Sequence, residues 1–238
     1  MDTKYKLTNG TIKVNGHTLH RIKALRDFGN VTKGELGGFI ESEGNLSQDG
    51  LCWVAGDARV CGNAIVSNDA RVCGNAIVFG NAKVCGNAEV ADYAIVFGNA
   101  KVFGNAKVCG NAEVCGHAEV CGNAAIGTFA RITSPNDYIV IGPLGSRNAY
   151  TTVYRISNTD NQPGSSDLRI QCGCFNGTPD EFFAKVDERH KKGSMYHTQY
   201  TTIIKFMIDT MCQTSIQNIT DNGVIKWVKK LIKILKNL

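Results

Sequence analysis

Residues 54–131 read VAGDAR VCGNAI VSNDAR VCGNAI VFGNAK VCGNAE VADYAI VFGNAK VFGNAK VCGNAE VCGHAE VCGNAA IGTFAR, which is thirteen six-residue units without an insertion. Every unit begins with Val or Ile and has Ala at its fifth position. A fixed short period of this kind is typical of a solenoid, in which each repeat packs only on its neighbours. A disordered low-complexity segment would not keep Val and Ala in phase over so many units.

Each unit has a composition that suits one side of a narrow β-coil. The Val and the small Ala are expected to point inward, and the residues on either side of each Val to point outward. The Gly-Asn or Asn-Asp pair is expected at the corner, because Gly and Asn tolerate positive φ with little strain. Upstream, Ile40 and Leu46 continue the register, and an eight-residue step through Cys52 and Trp53 leads to Val54.

The VxGNA units resemble those of the hexapeptide-repeat family, whose members fold as a left-handed parallel β-helix with three hexads per triangular coil. The resemblance covers about a third of the chain by the clean repeat. It implies a mainly β fold with a coil over residues 36–134, and a period of three units, or eighteen residues, between stacked positions.

This period assigns the outward residues to three faces. Two faces carry mixed charges and small residues. The remaining face presents outward Ile77 and Ile95 in one column and Phe79 and Phe97 in the neighbouring column. A soluble monomer rarely exposes an apolar patch of this kind. We therefore predict that these four residues form the subunit interface of a homotrimer.

The composition indicates a folded protein with a neutral body. Of the 238 residues, 43% are hydrophobic and 20% are charged, which is enough to bury a core. The net charge of +5 equals the five Lys within residues 224–238, so nucleic acid is not the expected partner. The sequence offers no signal peptide and no stretch of the ~18 apolar residues that span a membrane, which favours the cytoplasm.

The ten cysteines are expected to be reduced and to bind no metal. Cysteines of one column, such as Cys73 and Cys109, are two rungs and roughly 10 Å apart. A disulfide needs Cα atoms within ~7 Å of each other. The spacing therefore excludes a disulfide within a column.

A weak alternative is a metal site near the CxC pair. Cys172 and Cys174 are expected on one face of a strand, and His190 and His197 follow downstream. A single CxC is a much weaker signal than paired CxxC motifs.

Catalysis is the alternative to a binding function. Several acyltransferases of the hexapeptide-repeat family use a single His at a coil corner, and His117 in VCGHAE stands at such a corner. The carbonic anhydrases of this fold need three His around zinc, whereas this coil has one. The acyltransferases usually interrupt their coil with a loop over the acyl donor, and residues 54–131 have no interruption. We predict no catalytic residue and no cofactor.

The two ends differ from the repeat. Residues 1–35 predict a cap with a β-hairpin over 11–25, turning at Asn15-Gly16. Residues 135–215 predict a small α+β domain, with strands over 138–141, 151–156 and 168–175 and helices over 179–190 and 195–212. Thr178, Pro179 and Glu181 have the spacing of a capping box at the first helix start.

Residues 216–238 predict a basic amphipathic helix. Its apolar stripe includes Trp227, Leu231 and Ile234, and five Lys take the other side. Two roles compete, namely a helical bundle that joins subunits, which we favour, and a helix on an anionic membrane surface.

The flanking segments add a second resemblance. RIKALRDFG, LGGFIESEGNLSQDG and RIQCGCFNGTPDEFFAKV, together with the repeats, look like hexapeptide-repeat proteins of bacteriophages and of prophages of Gram-positive bacteria. This resemblance covers the chain to about residue 212. It implies a place in the cytoplasm of a bacterial host, and it carries no activity that transfers to particular residues.

The segment GPLGSR, residues 142–147, is the best candidate for anion binding. Glycine N–H groups, a hydroxyl and a guanidinium together suit a phosphate or a carboxylate. The predicted ligand-binding set is Gly145, Ser146, Arg147, Thr151, Thr152 and Arg169.

These features predict a non-enzymatic, oligomeric binding protein that captures a small anionic, nucleotide-like ligand or a host protein, with a role against host defence. The alternatives are an acyltransferase that uses His117 and a structural component of a virion or a membrane.

Overall fold

The computed structural model describes residues 3–157 and 167–213. Its main part is a parallel β-solenoid of about five turns, built from two-residue strands. The bounds of these strands are β4 (Trp53–Val54), β5 (Arg59–Val60), β6 (Ile65–Val66), β7 (Arg71–Val72), β8 (Ile77–Val78), β9 (Lys83–Val84), β10 (Glu89–Val90), β11 (Ile95–Val96), β12 (Lys101–Val102), β13 (Lys107–Val108), β14 (Glu113–Val114), β15 (Glu119–Val120), β16 (Ala125–Ile126) and β17 (Arg131–Ile132).

The strands stack with the predicted period of eighteen residues. Val90 pairs in parallel with Val72 on one side and with Val108 on the other, and Ile95 pairs with Ile77. Every third strand therefore joins the same sheet, which gives the orders β4-β7-β10-β13-β16, β5-β8-β11-β14-β17 and β6-β9-β12-β15. The predicted assignment of residues to three faces is confirmed.

The solenoid interior holds the Val and Ala of each unit. The fifth-position Ala and the Val that follows, such as Ala76 and Val78, have essentially no exposed surface. At the corners the glycines have positive φ, and Asn side chains of successive rungs form ladders. In one ladder the Nδ2 of Asn63 donates to Asn81 at 3.1 Å and the Nδ2 of Asn81 donates to Asn99 at 3.0 Å.

The N-terminal end of the solenoid is closed by the predicted hairpin. Strands β1 (Tyr5–Val14) and β2 (His17–Ala24) pair antiparallel through a turn at Asn15 and Gly16, both with positive φ. The hairpin is longer than its sequence signal, because β1 begins at Tyr5. Strand β3 (Leu36–Ile40) pairs antiparallel with β2 and parallel with β5. It therefore joins the hairpin and the solenoid strands into one sheet.

The C-terminal domain is a four-stranded antiparallel sheet with two helices. Its strands are β18 (Tyr138–Leu144), β19 (Ala149–Arg155), β20 (Leu168–Cys172) and β21 (Phe175–Gly177), and its helices are α1 (Pro179–Arg189) and α2 (Met195–Gln213). Short 3-10 helices cover Glu43–Asn45 and Pro135–Asp137. The predicted capping box of α1 is confirmed, since the Glu181 N–H donates to Thr178 Oγ1 at 3.2 Å and the Thr178 N–H donates to Glu181 Oε2 at 2.7 Å.

The sheet of the C-terminal domain lies against the last rungs of the solenoid. The backbone N–H of Ala125 donates to Thr152 Oγ1 at 3.0 Å, and that of Cys121 donates to the hydroxyl of Tyr138 at 3.1 Å. Burial raises the pKa of Tyr138 to about 12. This contact leaves the opposite side of the sheet for α1 and α2.

The predicted fold class is confirmed as a parallel β-solenoid with an N-terminal hairpin, a small antiparallel sheet and two C-terminal helices. The predicted tail helix, with Trp227, Leu231 and Ile234, lies outside the described residues. Neither helix of the described part of the chain has the length and apolar content needed to cross a membrane.

Candidate functional site

A cavity of about 360 Å³ opens between two turns of the C-terminal sheet and helix α1. One turn joins β18 to β19 and the other joins β20 to β21, so the cavity lies at one end of the sheet. Its lining residues are Ser146, Arg147, Cys172, Cys174, Phe175, Phe182, Lys185, Val186, Arg189, His190 and Tyr200.

Tyr200 of α2 forms an aromatic wall of this cavity. Its ring lies 5.8 Å from that of Phe182 and 5.6 Å from that of His190. The backbone of Gly145 packs so closely on the ring that a Cβ there would come within 2.0 Å of it. Burial raises the pKa of the Tyr200 hydroxyl, so this wall stays neutral at ordinary pH.

Arg147 reaches across the cavity to the opposite turn. Its Nη1 donates to Sγ of Cys174 at 3.2 Å. This hydrogen bond and the charge of Arg147 lower the pKa of the Cys174 thiol, and Arg189 adds a smaller effect in the same direction. Both Arg147 and Cys174 are exposed, so a ligand can reach either group.

Helix α1 supplies further positive charge. Lys185 and Arg189 are one helical turn apart, so both side chains can face one side. His190 follows as the C-cap residue and also lines the cavity. Nζ of Lys185 lies 2.7 Å from Glu188, which is exposed and outside the cavity lining. Of the described residues that line the cavity, three are Lys or Arg and none is Asp or Glu. The cavity is therefore suited to an anion.

The structure brings part of the predicted ligand set to this cavity. Ser146 and Arg147 line it, on the turn that follows β18. Gly145 lies beside them, but its N–H donates to Oε1 of Gln199 at 2.9 Å and so is taken. Gly142 is within β18 and not in the turn. Side chains, and not the predicted glycine N–H groups, therefore face the cavity.

The other three predicted ligand residues lie elsewhere. Thr151 is buried behind the cavity wall, where its Oγ1 donates to Sγ of Cys172 at 3.1 Å. Thr152 points the other way because side chains alternate along a strand, and it contacts Ala125 of the solenoid. Arg169 lies 3.7 Å from Glu181 and is absent from the cavity lining. Strand alternation separates Thr152 and Arg169 from Arg147.

The CxC pair was expected on a continuous strand over 168–175, and this expectation is wrong. A turn at Gly173 and Cys174 divides the segment into β20 and β21, and Gly173 has a φ of +58°. His197 does not join the cysteines, because its Nε2 lies 2.8 Å from Oδ1 of Asp187. Within residues 3–157 and 167–213, no three His, Cys, Asp or Glu side chains are grouped closely enough to hold a metal ion.

His117 lies at a solenoid corner, as its position in the repeat predicts. It is exposed and takes the place that an Asn would occupy above Asn99 in the ladder of Asn63 and Asn81. It is far along the chain from the cavity lining, which begins at Ser146.

The predicted interface residues form one continuous outer patch. Ile77 and Ile95 are paired neighbours on β8 and β11. The rings of Phe79 and Phe97 are stacked, with centroids 5.0 Å apart and planes inclined by 2°. Phe79 keeps 36% of its surface exposed.

The sequence patterns assigned no site role to five of the residues that line the cavity, namely Phe175, Phe182, Lys185, Arg189 and Tyr200. The four-residue spacing of Lys185 and Arg189 does indicate a basic helix side. It does not reveal which turn of the sheet that side meets, because this depends on how α1 packs over β20 and β21.

Comparison with known proteins supports the solenoid. A family described as YdcK Beta solenoid repeat matches residues 58–72 and 70–86, which lie on the first solenoid turns. No curated protein matches the chain. Together with the strand stacking described above, the match supports a β-helix repeat protein.

Proposed function

We propose that the protein binds a small anionic ligand with an aromatic or apolar part, such as a nucleotide, in the cavity between the sheet turns and α1. The observation that carries this proposal is the lining of that cavity, in which Arg147, Lys185 and Arg189 meet aromatic rings without an acidic residue among the described lining residues. Cavities of about 300–1,000 Å³ are usual for small ligands, and this one has about 360 Å³.

The residues divide the ligand into two parts by their chemistry. Arg147 and Arg189 are exposed guanidinium groups that suit the phosphate or carboxylate, because a guanidinium binds such groups in bidentate fashion. Phe175, Phe182 and Tyr200 offer rings and ring edges to a planar or apolar part. Capture needs only these binding groups, so the proposal is of a binding protein and not of an enzyme.

The biological setting belongs to the same proposal. The resemblance of the flanking segments to phage and prophage proteins favours a phage-encoded protein in a bacterial cytoplasm. A nucleotide-like signal of host defence fits the cavity chemistry as a ligand, and a host protein is the alternative target. The apolar patch of Ile77, Phe79, Ile95 and Phe97 favours a homotrimer.

The test is calorimetry of the whole protein with a panel of linear and cyclic nucleotides. Arg147→Ala removes a charge-assisted contact of about 1.5–3 kcal/mol, so we expect about a 10- to 150-fold loss of affinity. Arg71→Ala is the matched control, because Arg71 is an exposed arginine on β7 of the solenoid. His117→Ala should also leave affinity unchanged, since His117 does not line the cavity.

Two outcomes would contradict the proposal. One is equal affinity of Arg147→Ala and the parent for every nucleotide that binds. The other is acetyl transfer from acetyl coenzyme A that disappears in His117→Ala, which is the result the acyltransferase alternative predicts.

A further inference from the structure

Two thiols line the same cationic cavity and are held differently. Sγ of Cys172 accepts from the buried Oγ1 of Thr151 at 3.1 Å, and Sγ of Cys174 accepts from Nη1 of Arg147 at 3.2 Å. Cys172 is half-buried, whereas Cys174 is exposed on the turn. The anion binding proposed above makes no use of either thiol.

Cys174 differs chemically from thiols of the solenoid. Burial raises the pKa of Cys73, Cys109 and Cys115, which keeps these thiols protonated. At Cys174 the hydrogen bond and charge of Arg147 lower the pKa instead. Since the thiolate is the nucleophile, reactivity should be concentrated at Cys174.

The spacing of Cys172 and Cys174 also allows a disulfide between them. Residues separated by one position have Cα atoms at most ~7.2 Å apart in a fully extended chain and closer in a turn. Cys172 and Cys174 span such a turn, with Gly173 in the left-handed region at +58°. A turn shortens the separation from this upper limit toward the ~4.4–6.8 Å between Cα atoms that disulfides usually have.

We infer that Cys174 and Cys172 are a redox-reactive dithiol that takes small anionic disulfides, of the class formed by carboxylate-bearing thiols, as its substrate. The inference rests on the proposed function, because the cations that hold an anion would also select this substrate. Arg147 has two roles in it, since the same guanidinium holds the thiolate and attracts the carboxylates.

The reaction is a thiol–disulfide exchange in two steps. The Cys174 thiolate attacks one sulfur of the reagent RSSR, the reagent S–S bond breaks, and one RS⁻ leaves and takes a proton from solvent. Cys172 then gives its proton to solvent and attacks Sγ of Cys174, which forms the Cys172–Cys174 disulfide and releases the second RS⁻, and this also takes a proton from solvent. The dithiol loses two electrons, and the reagent disulfide gains them to become two thiols.

The experiment compares two disulfides of opposite charge on the Cys172→Ser variant, in which the first adduct cannot be resolved. Glutathione disulfide is the anionic probe and cystamine is the cationic one, and peptide mass spectrometry follows the adduct on Cys174, with Cys73 as internal reference. A cleft lined by one sign of charge raises encounter rates by about 10- to 1,000-fold. For each cysteine we compare the ratio of its rate with glutathione disulfide to its rate with cystamine. We expect this ratio to be at least about tenfold higher at Cys174 than at Cys73.

Variants and a binding measurement separate the possible failures. Arg147→Ala should reduce the preference for the anionic probe, because Lys185 and Arg189 remain in the lining, while Arg71→Ala should keep the full preference. In the parent, glutathione disulfide should yield the Cys172–Cys174 disulfide with no retained adduct. Equal preference at Cys174 and Cys73, or no adduct on Cys174, would overturn the inference. If Cys174→Ser still binds nucleotides in calorimetry, the proposed anion site survives that failure.

Discussion

At the scale of single residues, one glycine sets how closely the cavity turn approaches helix α2. Gly145 has a φ of +72°, and a Cβ at this position would come within 2.0 Å of the Tyr200 ring. Tyr200 has little room to move, because only 5% of its surface is exposed and its ring also packs on Phe182. The cavity wall therefore depends on the absence of one side chain.

The first prediction is that Gly145→Ala destabilises the protein and weakens the anion site. Overpacking of this kind costs about 1–3 kcal/mol, which adds to the strain of positive φ for a residue with a Cβ. The control is Gly193→Ala, where φ is +78° but nothing lies within 4 Å of the added Cβ. Urea denaturation should show the larger loss for Gly145→Ala, and equal losses would contradict the close contact with Tyr200.

The cavity residues show what could be predicted at this scale. Ser146 and Arg147 could be identified because a Gly-Ser-Arg turn has a recognisable chemistry. Arg169 and Thr152 could not be excluded in advance, because the phase of each strand decides which side they face, and this phase depends on contacts with the solenoid. Tyr200 carries no signal of its own in the sequence, since it lies in the apolar stripe of α2 like any core residue.

At the scale of elements, the carboxylate of Glu41 is one of the contacts that join the hairpin to the solenoid. Glu41 follows β3, and its Oε1 lies 2.8 Å from Nδ1 of His17 at the start of β2. Its Oε2 accepts from the N–H of Gly62 at a solenoid corner at 2.7 Å. The hydrogen bond from His17, followed by that from Gly62, lowers the pKa of Glu41.

The second prediction concerns the pH dependence of this junction. A lowered pKa in the folded state means that the ionised carboxylate stabilises the fold. This stabilisation is complete above the usual Glu pKa of about 4.3 and is lost as the pH falls below it. Because Glu41 is near the surface, the loss should be below about 1 kcal/mol. Glu41→Gln should flatten the fall in unfolding free energy between about pH 5 and pH 3 in urea titrations.

The control for this prediction is Glu43→Gln, which makes the same change two residues along without the contacts to His17 and Gly62. Equal slopes in both variants would show that Glu41 does not couple the hairpin to the solenoid.

The sequence predicted elements well where a turn or capping motif marks their ends. Asn15-Gly16 and the Thr178 capping box are short motifs whose structure follows from their own backbone preferences, and both are confirmed. The segment over 168–175 lacked such a signal apart from Gly173, which reads equally well as part of a strand. The tight turn there depends on pairing between β20 and β21, which is a tertiary contact.

At the scale of the whole molecule, the repeat divides the solenoid into inward core positions and outward positions. The inward Val and Ala are essentially identical from rung to rung and specify the solenoid without specifying a function. The outward positions are free to vary, so a run of apolar residues among them needs its own explanation. Cys61 and Cys115, both largely buried, lie above and below Phe79 and Phe97 in the same column.

The last prediction is that Phe79→Lys combined with Phe97→Lys converts a homotrimer into monomers. The two stacked rings point away from the Val–Ala core, so lysines there should leave the solenoid folded while they charge a surface that must be desolvated on association. Light scattering should report the change in mass, with circular dichroism as the check on folding. Ile65→Lys is the matched control, because Ile65 is 39% exposed on a different solenoid face. Two outcomes would contradict the interface: a parent protein that is already monomeric, or a double variant with the same mass as the parent. In either case the stacked Phe79 and Phe97 are an ordinary surface ladder.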